Sequence, residues 1–342
     1  MSTSRQTATH CIGNSNYSFR YLGLRRARTV TMVRMKWSLA AAAAILLAAS
    51  LQAQDLLFTS RIDLVQLGVT VEGRGGTPLG DLTREHFEVY EDGELQEIRY
   101  FAQGLAADAE IVPTHLGVLF DTSGSMERDA RFAKTAAIKF LNTLTYAEDM
   151  TVVDFDTEVR VGRYDRDDFP RLVERIRSSR TSGQTALYDA LGVYLDGAFE
   201  QDGRKVLLLY TDGADTRSRT SLSDLSDLVK ASDVTIYAIG FQEQLPSSVR
   251  PLERMRLQQL TALTGGRSYF PNRVEDLDEI YEQIAAELDA RYSIGYVSTN
   301  PRMDGSWREL EVKLRNPPSG HGRLRVRTRE GYFALYLDPG PQ

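Results

Sequence analysis

Three short segments of the chain carry the oxygen donors that hard divalent cations bind. Residues 121–125 (DTSGS) and 211–215 (TDGAD) each follow an apolar run, and residues 182–185 (SGQT) precede a helical pattern. Two carboxylates and several hydroxyls in one compact site suit Mg²⁺ or Mn²⁺ better than Ca²⁺. Because hydroxyl ligands are neutral, such an ion would stay electrophilic and would attract a further carboxylate at an open position.

Each of these residues also has a simpler explanation. Asp121 and Ser123 could cap the following helix, Thr185 could be another N-cap, and residues 212–213 could form only a turn. Three unrelated caps have no reason to form one constellation, so the joint pattern favours a metal site. Asp215 could help to orient the ligands, whereas Asp154 and Asp156 are expected to be solvated or to order a loop.

Alternating strands and helices must position the three segments. Residues 115–120 (HLGVLF) and 206–210 (VLLLY) are almost wholly apolar, as is typical of strands buried on both faces. Apolar residues three and four apart predict helices between the strands. The pattern predicts a doubly wound, mostly parallel α/β sheet, with ligands at the carboxyl ends of its strands. Further strands are predicted at 151–155, 158–163, 234–239 and 267–270, and helices around 132–144, 187–198, 221–231, 257–263 and 277–288.

Shorter strands flank this sheet on both sides in the sequence. Period-two alternation marks 65–71, and Asp92-Gly93 predicts a hairpin between 87–91 and 96–101. Three more strands follow residue 291. We expect both ends of the chain to form one small β-sandwich-like unit into which the α/β domain is inserted. The predicted organisation is an N-terminal extension with signal peptide (1–53), a β unit (54–112 and 292–337) and the α/β domain (113–291).

The first 53 residues have the features of an export signal. Residues 39–49 are an apolar run behind Arg34 and Lys36, and a cut after Ala53 is plausible. The run is too short to span a bilayer, so a membrane association is expected only if the segment is not cleaved. Cys11 is the only cysteine and lies before the cut, which leaves no thiolate ligand or nucleophile afterwards. The rest has 34 basic and 47 acidic residues, a balance that disfavours nucleic-acid binding.

The order of the donor residues resembles a known site. Asp121-x-Ser123-x-Ser125, then Thr185, then Asp212 is similar to the metal-ion-dependent adhesion site of von Willebrand factor type A (vWA) domains. The blocks LGVLFDTSGSM, SGQTALYDAL and VLLLYTDGADT carry the resemblance, which covers residues 113–291. The flanks FEVYEDGELQEIRYF and YSIGYVSTNPRMDGSWRELEVKL resemble the β regions of exported bacterial vWA proteins.

The resemblance implies a vWA/Rossmann-like fold and a role for each ligand. Ser123 and Ser125 would bind the ion directly, and Thr185, Asp121 and Asp212 would bind it directly or through water. The remaining position would take an Asp or Glu carboxylate from a partner protein. We therefore expect a non-enzymatic adhesion module that is exported to the periplasm, the cell surface or the medium and has no small-molecule substrate.

Two other functions fit part of the sequence. A haloacid-dehalogenase-like phosphatase would use Asp121 as nucleophile and hold Mg²⁺ with Asp212 and Asp215, but Ser123 stands where its general acid should be. Only Lys205 offers a cation for the phosphate. A serine hydrolase is disfavoured, because no G-x-S-x-G motif is present. In a third reading the ion is structural and the β unit binds the partner. The histidines at 86, 115 and 321 are expected to be structural.

Overall fold

A computed structural model gives the fold of most of the chain, with its strands in three sheets. The expected signal peptide, Cys11 and His321 lie outside the described residues. Of the helices that are described, none combines the length and the hydropathy that a bilayer span requires. The structure describes residues 64–104, 113–142, 147–273, 275–318, 320 and 322–336.

A six-stranded sheet forms the centre of the α/β part. Its strand order is β10-β9-β8-β5-β6-β7, and only the edge strand β7 runs antiparallel to its neighbour. All eight residues of β5 are buried, which explains the almost continuous apolar sequence of this central strand. The predicted, mostly parallel sheet is confirmed. Its strands are β5 (Thr114–Asp121), β6 (Asp149–Phe155), β7 (Val159–Asp165), β8 (Arg204–Thr211), β9 (Thr235–Gly240) and β10 (Arg267–Tyr269).

Helices cover both faces of this sheet. Helices α1, α2 and α6 share one apolar core with the sheet, and α3, α4 and α5 share a second core on the opposite face. Helix α2 was not expected from the sequence. Phe132 was expected on the apolar side of α1, but 44% of it is exposed. The helices are α1 (Ala130–Leu141), α2 (Phe169–Ser178), α3 (Leu187–Phe199), α4 (Leu222–Ala231), α5 (Arg250–Leu263) and α6 (Asp276–Ala290).

The remaining strands form two antiparallel sheets that pack around a third core. One has the order β13-β1-β11-β4 and the other β14-β12-β2-β3. Strand β1 pairs with β11 and β13, so both ends of the chain build this β unit, as expected. The exact domain boundaries stay a prediction. The strands are β1 (Leu64–Glu72), β2 (Phe87–Glu91), β3 (Glu94–Gln96), β4 (Ile98–Gln103), β11 (Tyr292–Val297), β12 (Trp307–Leu314), β13 (Arg325–Arg327) and β14 (Gly331–Phe333).

The hairpin at Asp92-Gly93 is present, but its second arm differs from the prediction. Both turn residues have positive φ (49° and 84°), as a tight two-residue turn requires. The returning arm then divides at Glu97. Its first part, β3, pairs with β2, whereas its second part, β4, crosses to the other sheet and pairs with β11. A single alternating run in the sequence does not reveal that a strand changes sheets.

The β unit contacts the end of the central sheet where β8 and β9 begin. Arg204, at the start of β8, donates a 2.9 Å hydrogen bond to the Ser293 hydroxyl in β11. Arg291 donates to the Thr235 hydroxyl (2.8 Å) at the start of β9 and to the carbonyl oxygen of Gly68 (3.2 Å) in β1. Because parallel strands share a direction, their carboxyl ends lie at the opposite edge of the sheet, away from the β unit.

Candidate metal site

The first and third donor segments leave adjacent strands at the same edge of the sheet. Asp121 is the last residue of β5, and Asp212 directly follows β8. These two strands are parallel neighbours, with Phe120 opposite Tyr210. Both aspartates are buried, with only 3% and 1% of their surfaces exposed. The fold therefore brings the two predicted carboxylate ligands to one enclosed place.

The loop after β5 is held by its own hydrogen bonds. Asp121 Oδ1 accepts a 2.9 Å hydrogen bond from the backbone N–H of Ser123, which turns the chain sharply after the strand. The hydroxyl oxygens of Ser123 and Ser125 lie 3.0 Å apart. Ser123 is buried, whereas Ser125 is exposed. The loop thus directs two hydroxyls and a carboxylate to one point, with Ser125 on the solvent side.

The second segment is attached to the first through its backbone. The N–H of Gly124 donates to the carbonyl oxygen of Gly183 (3.1 Å), and the N–H of Ser182 donates to that of Thr122 (2.8 Å). Gly183 has φ +76°, and a Cβ on it would lie 2.5 Å from Thr157 Oγ1, so glycine is required there. Thr185 follows and is buried. Its carbonyl oxygen accepts from the N–H of Thr216, which ties it to the third segment.

The third segment contributes a carboxylate that is only half satisfied. Asp212 Oδ1 accepts a 2.9 Å hydrogen bond from the N–H of Ala214. Asp212 Oδ2 is buried and, within the described part of the chain, has no hydrogen-bond partner. The Ser125 hydroxyl lies close enough to this carboxylate to lower its pKa, an effect that burial outweighs. Four of the predicted ligands therefore lie close together: Asp121, Ser123, Ser125 and Asp212. Backbone hydrogen bonds attach the segment that contains Thr185 to the other two segments.

The pKa values of both predicted carboxylate ligands are raised. Burial, and next the negative charge of Asp212, raise the pKa of Asp121 to about 7. Burial also raises the pKa of Asp212. Two buried carboxylates that repel each other are costly unless one of them binds a proton or a positive charge lies between them. A cation at this place would relieve the repulsion, so the electrostatics are compatible with the predicted metal site.

The donor set fits Mg²⁺ or Mn²⁺ and excludes soft metals. Among the described residues, no three His, Cys, Asp or Glu side chains cluster as a metal site. An ion at this edge would therefore depend on Ser and Thr hydroxyls in addition to the two aspartates. Hydroxyl and carboxylate oxygens are the ligands that hard divalent cations prefer. Asp212 Oδ2 has no hydrogen-bond partner among the described residues, so this oxygen is available as a ligand for such an ion.

Asp215 forms hydrogen bonds with groups other than the predicted metal ligands. Asp215 Oδ1 accepts from the Ser218 hydroxyl (2.6 Å) and from the N–H of Tyr188 (3.2 Å) in the first turn of α3. These bonds order the start of the helix that follows Thr185. That Asp215 also orients the metal ligands stays a prediction.

Asp154 and Asp156 form an ion-pair network beside the site. Arg160 contacts Asp154 Oδ2 (2.6 Å) and Asp156 Oδ2 (2.9 Å), and Arg175 contacts Asp154 Oδ1 (2.7 Å). Arg160 Nη2 also donates to the hydroxyl of Thr122, at 3.3 Å. Since these carboxylates are neutralised by arginines, they order the loops behind the site, as expected.

The residues that the alternative functions need lie far from this edge. Lys205 stands at the start of β8 and binds both carboxylate oxygens of Asp233, at 2.7 and 2.8 Å. Six residue steps along the extended strand, roughly 20 Å, separate it from Thr211. His115 bonds to Asp149, and His86 caps a short helix through Thr83. The described histidines therefore have structural partners, and Lys205 cannot neutralise a phosphate bound at Asp121.

Two residues at the site were missed in the sequence analysis. The hydroxyl of Thr211 donates a 2.7 Å hydrogen bond to Asp121 Oδ2. The side chain of Gln242, which is buried, donates to the carbonyl oxygen of Asp212 at 3.2 Å. Thr211 could have been found, because it precedes Asp212 at the end of a buried strand. Gln242 offers no such signal, since it follows a different strand, β9.

Comparison with known proteins identifies the central part of the chain. The family model described as von Willebrand factor type A domain matches residues 115–283. None of the curated proteins matches the sequence.

Solved structures with a related arrangement have low sequence identity. The PilB minor pilin from Streptococcus sanguinis is 14% identical (TM-score 0.40), and the match covers 52% of this chain and 62% of the pilin. The vWF domain of the type V pili tip protein Mfa5 from Porphyromonas gingivalis is 13% identical (TM-score 0.40), with 51% and 95% covered. A von Willebrand factor type A protein from Catenulispora acidiphila is 16% identical (TM-score 0.43), with 83% and 76% covered. This chain thus spans less than two thirds of the pilin, and likenesses at this level do not reveal what it binds.

Proposed function

Because residues 115–283 belong to the von Willebrand factor type A domain family, we propose that this chain is an exported protein-binding module that depends on a divalent cation. The five predicted ligands hold Mg²⁺, or Mn²⁺ in its place. A partner protein supplies an Asp or Glu carboxylate to the open position. Export rests on the apolar segment at 39–49 behind its basic flank.

The observation that carries this proposal is the buried Asp212 Oδ2, which has no hydrogen-bond partner in the part of the chain that the structure describes and lies near a second buried carboxylate, Asp121. A bound cation would supply a positive charge with an exchangeable coordination position. Asp121 is fixed for this role by the N–H of Ser123 and the hydroxyl of Thr211. Ser125 lies at the solvent side, where a partner's side chain can approach.

The same residues disfavour enzymatic alternatives. A haloacid-dehalogenase-like phosphatase needs an acid two residues after its nucleophile, and Ser123 cannot serve as one. It also needs a cation near the phosphate, and Lys205 is bound to Asp233 at the other end of β8. We therefore propose binding rather than catalysis. Release of p-nitrophenol from p-nitrophenyl phosphate by the wild type, lost in Asp121→Asn, would contradict this.

Calorimetric titration of the chain from residue 54 onward with Mg²⁺ and Mn²⁺ tests the metal site. We expect one ion per chain in the wild type and no binding in Asp121→Asn or Ser123→Ala. Asp278→Asn is a matched control, because Asp278 is exposed and, within the described ranges, its ion pair is with Lys139 at the surface. Thermal unfolding without metal shows whether each variant is folded. Wild-type protein that binds neither ion would refute the metal-dependent function.

The role of the partner's carboxylate is tested with peptides. A short peptide with one aspartate among glycines and serines should bind in Mg²⁺ and be released by EDTA. The same peptide with asparagine in place of aspartate should not bind. If a natural partner is bound equally well by wild type and by folded Asp121→Asn, the ion is structural and the β unit is the binding surface.

A further inference from the structure

A groove of about 490 Å³ begins where the predicted metal ligands end. One wall is helix α1, which follows the loop of Ser123 and Ser125 after a short 3-10 turn. The other wall is the segment 177–181, which leads directly into residues 182–185. Both walls are therefore continuations of the two loops that hold the candidate ligands. A peptide chain bound at the ion would reach the groove within a few residues.

The walls of the groove are attached to each other. Lys134 of α1 donates a hydrogen bond from Nζ to the carbonyl oxygen of Ser179 on the opposite wall. At the end of the groove nearest the predicted metal ligands, the N–H of Gly124 donates a hydrogen bond to the carbonyl oxygen of Gly183. Because contacts at both places connect the two walls, the fold fixes the width of the groove.

The charge of the groove is opposite to that of the chain. Four of the five charged side chains that line it are basic, and Glu127 is the exception. Beyond residue 53 the chain is strongly acidic, with 34 basic against 47 acidic residues. Three of the basic side chains, Arg131, Arg177 and Arg180, are exposed. Among the described residues none of these three forms an ion pair, so their charges are available to a ligand.

We propose that this groove binds an acidic stretch of the partner protein, adjacent in sequence to the carboxylate that reaches the ion. This inference rests on the proposed function and specifies its partner as an acidic segment rather than an isolated aspartate. The groove follows about eight residues of α1, roughly 12 Å. An extended peptide covers that length with about four residues. The additional acidic residues should therefore lie within about four positions of the metal-binding one.

The test compares two synthetic peptides on the Mg²⁺-loaded chain by fluorescence anisotropy, at low and at high salt. The first carries one aspartate among glycines and serines, and the second has three glutamates on each side of the aspartate. We expect the acidic peptide to bind about tenfold more tightly at low salt, an advantage that salt reduces. In the double variant Arg177→Glu with Arg180→Glu, this advantage should vanish, while the first peptide binds as before.

Arg74→Glu with Arg84→Glu is the matched control, because it makes the same charge change at two exposed arginines of the β unit. The inference is overturned if both double variants lower the affinity equally, or if the wild type does not distinguish the peptides. In those cases the proposed function still stands, provided that the first peptide binds and Asp121→Asn abolishes its binding. If neither peptide binds the wild type, both proposals fail. A sulfated oligosaccharide that binds wild type and Asp121→Asn equally would make the groove a separate polyanion site and overturn the inference.

Discussion

The hydroxyl of Thr211 donates a 2.7 Å hydrogen bond to Asp121 Oδ2 and accepts one of 3.1 Å from the N–H of Gly213. This one side chain therefore connects the first and third ligand segments. We expect Thr211→Val, which has nearly the same shape, to weaken Mg²⁺ binding by about tenfold or more, as the loss of a residue that orients ligands does. Thr211→Ser keeps the hydroxyl and should stay within about threefold. Calorimetry that finds valine and threonine equal would show that this bond does not position Asp121.

The stability of the protein should depend on pH through His115. Nδ1 of His115 lies 3.0 Å from Asp149 Oδ1, and Nε2 lies 2.9 Å from the carbonyl oxygen of Asp202. Each ring nitrogen thus faces one acceptor, to which the protonated ring can donate, and Gln201 Nε2 also lies 3.1 Å from Nδ1. The hydrogen bond with Asp149 is the largest cause that raises the pKa of His115 above 6.5, while burial and Lys205 lower it.

A His pKa that is higher in the folded than in the unfolded state stabilises the fold at low pH. The stabilisation is complete below about 6.5, the unfolded value. It is lost as pH rises through the folded pKa. We expect the difference in Tm between wild type and His115→Gln to shrink from pH 5.5 to pH 8.5. In an Asp149→Asn background the same comparison should be flat, and a difference that grows with pH would contradict the assignment.

The sequence predicted best the elements whose residues are buried on all sides. Strands β5 and β8 are buried on both faces, so their composition alone identifies them. Helix α2 was missed although its sequence carries a helical signal. Its apolar residues are spaced three and four apart and pack against the first core: Phe169, Leu172, Val173 and Ile176. Only Leu172 and Ile176 are fully buried, so its apolar face is narrow and is easily overlooked beside the longer apolar runs.

For the candidate site, the sequence did not predict some contacts between residues that are far apart in the chain. Asp121 and Asp212 could be paired from the sequence, because neighbouring parallel strands end at the same edge. Gln242 belongs to the end of β9, and nothing in its local sequence indicates that its side chain bends back to the carbonyl oxygen of Asp212. The change of sheet at Glu97 is hidden for the same reason, since it depends on which strand lies alongside.

A buried ion pair joins the last helix to the β unit. Arg327 Nη2 in β13 lies 2.6 Å from Glu287 Oε2 in α6, a close ionic contact whose angle departs from that of a hydrogen bond. Arg327 Nε also donates to Glu72 Oε1 at 2.7 Å, and the Tyr237 hydroxyl donates to Glu287 Oε1 at 2.6 Å. We expect Arg327→Met to lower the free energy of unfolding by about 3 kcal/mol, because the buried Glu287 loses this cation, whereas Glu72 keeps its contact with Arg267.

Urea denaturation measures this effect, and Lys139→Met provides the control. Lys139 pairs with Asp278 at 2.6 Å, but both side chains are more than 60% exposed. Such a surface pair contributes at most about 1 kcal/mol. If the two variants lose the same stability, the Arg327 network does not fasten α6 to the β unit. Hydrogen exchange along α6 should also accelerate only in Arg327→Met.

Gly183 should be required both for the fold and for the ion. Its φ of +76° is unfavourable for any residue with a Cβ, and that atom would lie 2.5 Å from Thr157 Oγ1. Gly75 has the same φ of 76°, but nothing lies within 4 Å of the corresponding Cβ position. We expect Gly75→Ala to cost about 1 kcal/mol of unfolding free energy, from the backbone alone. Gly183→Ala should lower the free energy of unfolding by more than this, because the added Cβ also clashes with Thr157 Oγ1.

Gly183→Ala should also weaken Mg²⁺ binding, since the carbonyl oxygen of Gly183 accepts the 3.1 Å hydrogen bond from Gly124 that holds the serine loop. Gly75→Ala should leave Mg²⁺ binding unchanged, because residue 75 lies in the β unit. Urea denaturation and calorimetric titration of both variants give the two readouts independently. Equal stability losses would mean that Thr157 moves aside freely. Unchanged Mg²⁺ affinity in Gly183→Ala would mean that the second segment does not position the ligands of the first.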